Sequence, residues 1–170
     1  MADMIGKITD SRGLLEKIAS KIPGFSGYME RQTRREADKM LRDTIANRYG
    51  EQMTRISNLQ VQLVSSGGIE FVDDLQDSAT RLQRFIDTVR TAAYGYAGLF
   101  DAVKVNEAEL GKLYQFDLAL LENVSKVAAA VDNVEASLGG DGMAAAIRHL
   151  SGVIGDSNTT FERRREVLTS

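Results

Sequence analysis

The residue best placed to do chemistry in this chain is Asp117. It stands in the row Leu110, Leu113, Asp117, Leu120, Val124, Val127, Val131, Val134 and Leu138, whose spacings alternate three and four. That alternation marks the seam of a helix packed at a shallow angle against its neighbours. A carboxylate in a seam is taken out of water, at a cost of several kcal/mol unless it is paired. It therefore needs a counterion or a ligand. Arg90, Lys104 and His149 are the cations that the sequence offers as partners. The other solution is a hard cation held by carboxylates alone. Asp101, Asp117 and Glu122 are the candidates for that, with Glu109 within reach in sequence. Di-iron bundles need paired Glu-x-x-His motifs. The sole histidine is His149, and the residue three before it is Ala146, so that chemistry is excluded. A structural pair is the expectation, with no cofactor and no metal.

A second concentration of unusual residues is Tyr94-Gly-Tyr-Ala-Gly-Leu-Phe100. Tyr94, Gly98 and Asp101 share one helical face, and Tyr96 and Phe100 share the seam. Small residues let another backbone approach closely. The stretch reads as a tight helix crossing or as a docking surface, with Tyr94, Tyr96, Gly98 and Phe100 in contact.

Two runs of cations could meet phosphate or anionic lipid. Arg31, Arg34, Arg35, Lys39 and Arg42 are offset by Glu36 and Asp38, and Glu162-Arg-Arg-Arg-Glu166 is the second. No aromatic residues interleave with either run, which argues against nucleic acid. A solvated face with internal ion pairs is the expectation. The loop Ser65-Ser-Gly-Gly68 lacks the P-loop pattern and reads as a helix–helix turn.

Composition removes most catalytic classes. The 170 residues include no Cys, which excludes disulfides, zinc fingers, iron–sulfur sites and thiol nucleophiles. A single His excludes any site that needs two imidazoles. No G-x-S-x-G elbow exists to build a serine hydrolase. The formal charge is −3, so a broad nucleic-acid footprint is not expected. The start Met1-Ala-Asp-Met-Ile5 lacks the basic, then apolar, plan of a secretory signal. No apolar run approaches the roughly 20 residues of a membrane span. A cytoplasmic protein is expected.

These residues must be positioned by helices, because no segment alternates with a period of two. Residues 70–104 place Val72, Leu75, Ala79, Leu82, Ile86, Val89, Ala93, Tyr96, Phe100 and Val103 on one seam, straight through Gly95 and Gly98. Those glycines read as internal to the helix. Residues 28–64 carry Ala37, Leu41, Ile45, Tyr49, Met53, Ile56, Leu59 and Leu63. Residues 141–168 carry Met143, Ile147, Leu150, Ile154, Phe161 and Leu168, with Gly152 and Gly155 leaving one helix or two pieces open. The helix over 107–138 opens on Asn106 and Glu109, which resemble a capping box. The remaining breaks are Ser65–Gly68, Val105–Asn106 and Gly139–Gly142. Connections this short predict antiparallel neighbours. The expected fold is all-α, an up-down-up-down four-helix bundle over about 28–64, 70–104, 107–138 and 141–168.

An amphipathic helix over about 3–21 precedes the bundle. Met1, Met4, Ile8, Leu15, Ile18 and Ile22 form its stripe, and Pro23-Gly24 ends it. Residues 1–27 thus read as a helix and linker, and 28–170 as the bundle. Ile8, Leu15 and Ile18 would meet the bundle itself, a protein partner or a membrane surface.

The stretches Ile22-Pro-Gly-Phe-Ser-Gly-Tyr28, Arg34-Arg-Glu-Ala-Asp-Lys39 with Leu41-Arg42, Tyr94-Gly-Tyr-Ala-Gly-Leu-Phe-Asp-Ala-Val-Lys104 and Tyr114-Gln-Phe-Asp-Leu-Ala-Leu-Leu121 resemble a family of small bacterial all-helical proteins. That resemblance implies a fold and brings no activity. The layout alone is similar to the phage-shock and thylakoid-vesiculation membrane-remodelling proteins. The expected function is a non-enzymatic helical scaffold or interaction module, whose partner is a protein or a second copy of the chain. The second expectation is an adaptor at an anionic membrane surface, and the third a ligand or metal site around Asp117.

Overall fold

The computed structural model describes residues 13–25, 34–101 and 107–169, with side chains at 13–25, 39–92 and 111–167. The described residues form helices and turns, with no strand among them. They hold five helices. Helix α1 covers residues 13–21. Helix α2 runs Arg34–Ser65, α3 Val72–Asp101, α4 Glu107–Ala136 and α5 Met143–Thr169. A 3-10 turn, Ile69–Phe71, leads into α3. At about 1.5 Å per residue, the 32 residues of α2 extend roughly 48 Å.

The turns fall at the glycines. Helix α2 ends in a Schellman motif: Gly67 adopts a φ of 82°, and the Gly68 N–H donates to the Leu63 carbonyl at 2.9 Å. Only glycine reaches that φ without cost, so Gly67→Ala is expected to lose about 1 kcal/mol of stability. Denaturant unfolding would measure it, and an unchanged midpoint would show that the turn relaxes. The Pro23-Gly24 punctuation is a type II turn. The Phe25 N–H donates to the Ile22 carbonyl at 3.2 Å, and Gly24 has a φ of 82°. The turn brings Ile22 and Phe25, either side of it, into the interior, where both are buried with Ile18. Gly139, with a φ of 74°, serves the α4–α5 connection.

Helix α3 passes through Gly95 and Gly98, as the seam implied. Helix α5 also passes unbroken through Gly152 and Gly155, so 141–168 holds one helix and not two pieces. A glycine inside a helix costs about 1 kcal/mol. Burial of Leu150, Val153 and Ile154 around them offsets that loss. The expected break at Val105–Asn106 lies outside the described residues, as does Asn106 of the capping box.

The buried residues follow the seams. Leu41, Ile45, Tyr49, Ile56, Leu59 and Leu63 on α2, and Leu75, Ala79, Leu82, Ile86 and Val89 on α3, are almost fully excluded from solvent. Phe85, Leu121 and Ala130, adjacent to the seams, are buried as well.

The chain divides into two compact units. The first takes the described residues up to Ile45, Val89–Leu121, and those from Thr160 onward. Within it, Arg42 Nη1 donates to the Val89 carbonyl at 3.3 Å, tying α2 to α3. The second takes Ala46–Thr88 and Glu122–Thr159. There Gln60 Nε2 donates to Gln76 Oε1 at 2.6 Å, and the rings of Tyr49 and Phe85 meet edge to face at 4.7 Å. Later residues of α2 meet earlier residues of α3, so these two segments are antiparallel. Arg55 bonds Asp132, Glu135 and the Ala128 carbonyl of α4. These charges are 31%, 66% and 44% exposed in their side chains. Pairs so open to water contribute well under 1 kcal/mol each.

Candidate functional site

Asp117 is buried, and its partner is Arg164 of α5. Arg164 Nε donates to Asp117 Oδ1 at 2.6 Å, and Nη2 donates to Oδ2 at 3.4 Å. The side chains are 0% and 2% exposed. The planar guanidinium meets both carboxylate oxygens, a geometry that lysine or histidine cannot copy. Arg164 also lies 6.0 Å from the centre of the Phe161 ring, one turn earlier on α5.

Arg164 is not among the partners that the sequence offered. Arg90 and His149 are exposed, and Lys104 lies outside the described residues. Arg164 belongs to the run Glu162-Arg-Arg-Arg-Glu166, which reads as a solvated face. Arg163 and Arg165 are exposed as that reading implies, but the middle arginine is not. Arg42, in the other basic run, is also buried, at 3% exposure. Lys39 is exposed, and the side chains of Arg31, Arg34 and Arg35 lie outside the described residues. The reason is helical phase. Residues 163, 164 and 165 point 100° apart, so one of three consecutive cations turns inward.

A signal for Arg164 was present. If Ser157 and Arg164 are admitted, the α5 seam reads 143, 147, 150, 154, 157, 161, 164 and 168, alternating four and three throughout. Arg164 is then a polar seam residue like Asp117, with the opposite charge.

Ser157, the second polar seam residue, joins a separate buried cluster. The Tyr49 hydroxyl and Ser157 Oγ are 3.0 Å apart. Asn123 Nδ2 donates to Ser157 Oγ and, at 3.2 Å, to the Val153 carbonyl. Ser157 Oγ is 3.5 Å from the same carbonyl. Tyr49 and Ser157 are 0% exposed and Asn123 is 8% exposed. Burial pushes the Tyr49 hydroxyl up to about 12, against the smaller opposing effect of its hydrogen bonds to Ser157 and Asn123. Asn123 lies beside the seam residue Val124, and nothing in the periodicity singles it out.

The chemistry open to these groups is narrow. A phenol at about 12 stays protonated near neutrality and is neither base nor nucleophile there. Ser157 has an amide and a phenol beside it and, among the described residues, no base bonded to it that could take its proton. Both oxygens of Asp117 face a guanidinium, which a cation would have to displace. Glu122 points to solvent, so it does not join Asp117. Among the described residues, no three His, Asp or Glu side chains gather as a metal site.

Of the interaction residues, Ile18 is fully buried and Leu15 half-buried, whereas Ile8 lies outside the described residues. Tyr94, Tyr96, Gly98, Phe100 and Asp101 lie on α3, and their side chains fall outside the described residues. Among the described residues, no helix is long and apolar enough to cross a membrane. No family model, curated protein or solved structure matches this chain.

Proposed function

We propose that this chain is a non-enzymatic helical scaffold or protein-interaction module, working in the cytoplasm. Helices α2 to α5 would form an up-down-up-down four-helix bundle, with seams packed as in a coiled coil. The observation that carries this reading is the Asp117–Arg164 pair. The one seam carboxylate, the group best placed to hold a ligand, is taken up by an arginine at 2.6 Å. Tyr49, Asn123 and Ser157 likewise bond one another. Interior polar groups spent in this way set which helix faces which. Function would then rest on contacts with a protein partner or a second copy, made by the Tyr94–Phe100 stretch of α3 and by Ile8 and Leu15 of the N-terminal segment.

The test compares the full-length protein with its Tyr96→Ala and Gly98→Leu variants by light scattering and partner pull-down. A scaffold using that face changes mass or loses a partner in at least one of them. Unchanged assembly in both counts against it. Flotation with anionic vesicles tests the membrane-adaptor reading in parallel. An adaptor floats and is released by Ile8→Asp with Leu15→Asp. Burial of Ile18 leaves Ile8 and Leu15 to carry such binding. Full-length protein suits this test better than a chain cut at residue 28, because Ile18, Ile22 and Phe25 belong to the interior.

A further inference from the structure

The most exposed large apolar residues of the described chain lie together in sequence at the α2–α3 turn. Val61 is 66% exposed, Val64 57% and Ile69 70%. Val61 and Val64, three apart, share the outer face of α2. The bond from Gln60 to Gln76 sets the level of the two antiparallel helices. Val64, one turn beyond Gln60, therefore comes level with the start of α3, where Val72 and Asp73 stand. Ile69 sits in the turn between them.

Within this stretch of the chain the charge has one sign, with Arg55 and Arg81 bounding it. From Ile56 to Thr80 the chain has no lysine or arginine and four acids: Glu70, Asp73, Asp74 and Asp77. All four are exposed, and none forms a salt bridge among the described residues. Asp73 and Asp74 gain some stabilisation from the N-terminus of α3. Glu70 precedes that helix and Asp77 lies a turn beyond its start, so the dipole does not account for them.

This charge selects the occupant. A second copy meeting the same face would oppose four acids to four acids. An anionic membrane would be repelled. A segment with apolar anchors flanked by lysine or arginine satisfies both features. We propose that the α2–α3 turn, through Val61, Val64, Ile69, Asp73 and Asp77, docks a cationic amphipathic helix of a protein partner. This rests on the interaction-module reading and assigns it residues other than Tyr94–Phe100.

The experiment titrates the full-length protein with a synthetic leucine–lysine amphipathic peptide, followed by residue-resolved NMR shifts. A leucine–glutamate peptide is the control. The expected result is saturable shifts at residues 61–77 with the lysine peptide only, weakened by added salt. Val64→Asn with Ile69→Asn should weaken binding roughly tenfold. Asp73→Asn with Asp77→Asn should weaken it and flatten its salt dependence. All four positions are exposed, so the variants keep their fold, which the same spectra verify. Shifts elsewhere, equal binding by both variants, dimerisation through this face, or flotation with anionic vesicles lost on Val64→Asn with Ile69→Asn would each overturn the proposal. Shifts centred on Tyr94–Phe100 would overturn this surface while leaving the interaction-module reading standing. Absence of peptide binding together with silent Tyr96→Ala and Gly98→Leu variants would remove both.

Discussion

Replacing Arg164 by Met should cost about 3–5 kcal/mol of stability, because it strands Asp117 as an unpaired charge in the interior. That is a large share of the roughly 5–15 kcal/mol available to a domain of this kind. Asp117→Leu alone should cost a similar amount by stranding Arg164. Combining Asp117→Leu with Arg164→Met removes both charges and keeps most of the volume. The pair gains Coulomb energy but has lost the hydration of two ions. The double variant should therefore lie near the wild type or above it. Denaturant unfolding of the four proteins gives the coupling energy as a double-mutant cycle. Arg163→Met, one residue away and exposed, is the control and should move stability by no more than about 0.5 kcal/mol. A loss below about 1 kcal/mol for Arg164→Met would mean that water reaches the pair. A double variant as stable as the wild type but with poorly dispersed spectra would assign the pair to helix register.

The second large effect appears in alkali. Tyr49 titrates near 10 when unfolded and at about 12 in the folded chain. Below pH ~10 it is protonated in both states, so its contribution is fully present. Between those values the unfolded chain gives up the proton and the folded chain keeps it. Unfolding then releases a proton, and stability falls as pH rises. The loss reaches roughly 2 kcal/mol close to pH 12 and approaches about 3 kcal/mol above it. Tyr49→Phe removes this dependence. Near neutrality it should cost about 1 kcal/mol, for the bond to Ser157. The two stability curves should therefore cross near pH ~11, with the phenylalanine variant the more stable beyond it. Other tyrosines and the lysines titrate in both proteins, so the difference between the curves isolates Tyr49. Parallel curves would show that the hydroxyl is solvated.

Much of the architecture was legible because helices advertise their buried face every three or four residues. Leu41, Ile45 and Tyr49 on α2, and Leu82, Ile86 and Val89 on α3, lie where the periodicity puts them. The glycine turns at Ser65–Gly68 and Gly139–Gly142 were equally visible, because a left-handed residue is almost always glycine. Gly152 and Gly155 left one helix or two open over 141–168, because glycine can break a helix; neighbouring burial overrides it here.

The polar interior was legible by halves. Asp117 declared itself because a lone acid in an apolar row has no other explanation. Arg164 did not, because its neighbours Arg163 and Arg165 disguise it as a surface charge. Asn123 gave no sign, because a single amide beside a seam looks like a solvent-facing residue.

By itself, then, the sequence determined the local physics of this protein: which segments coil, where they turn, which faces shed water, and that one carboxylate required an answer. Only the tertiary structure decided what that answer was. A partner 47 residues away in the chain is chosen by how two helices are phased and staggered against each other. That is a property of both seams together, which neither seam contains alone.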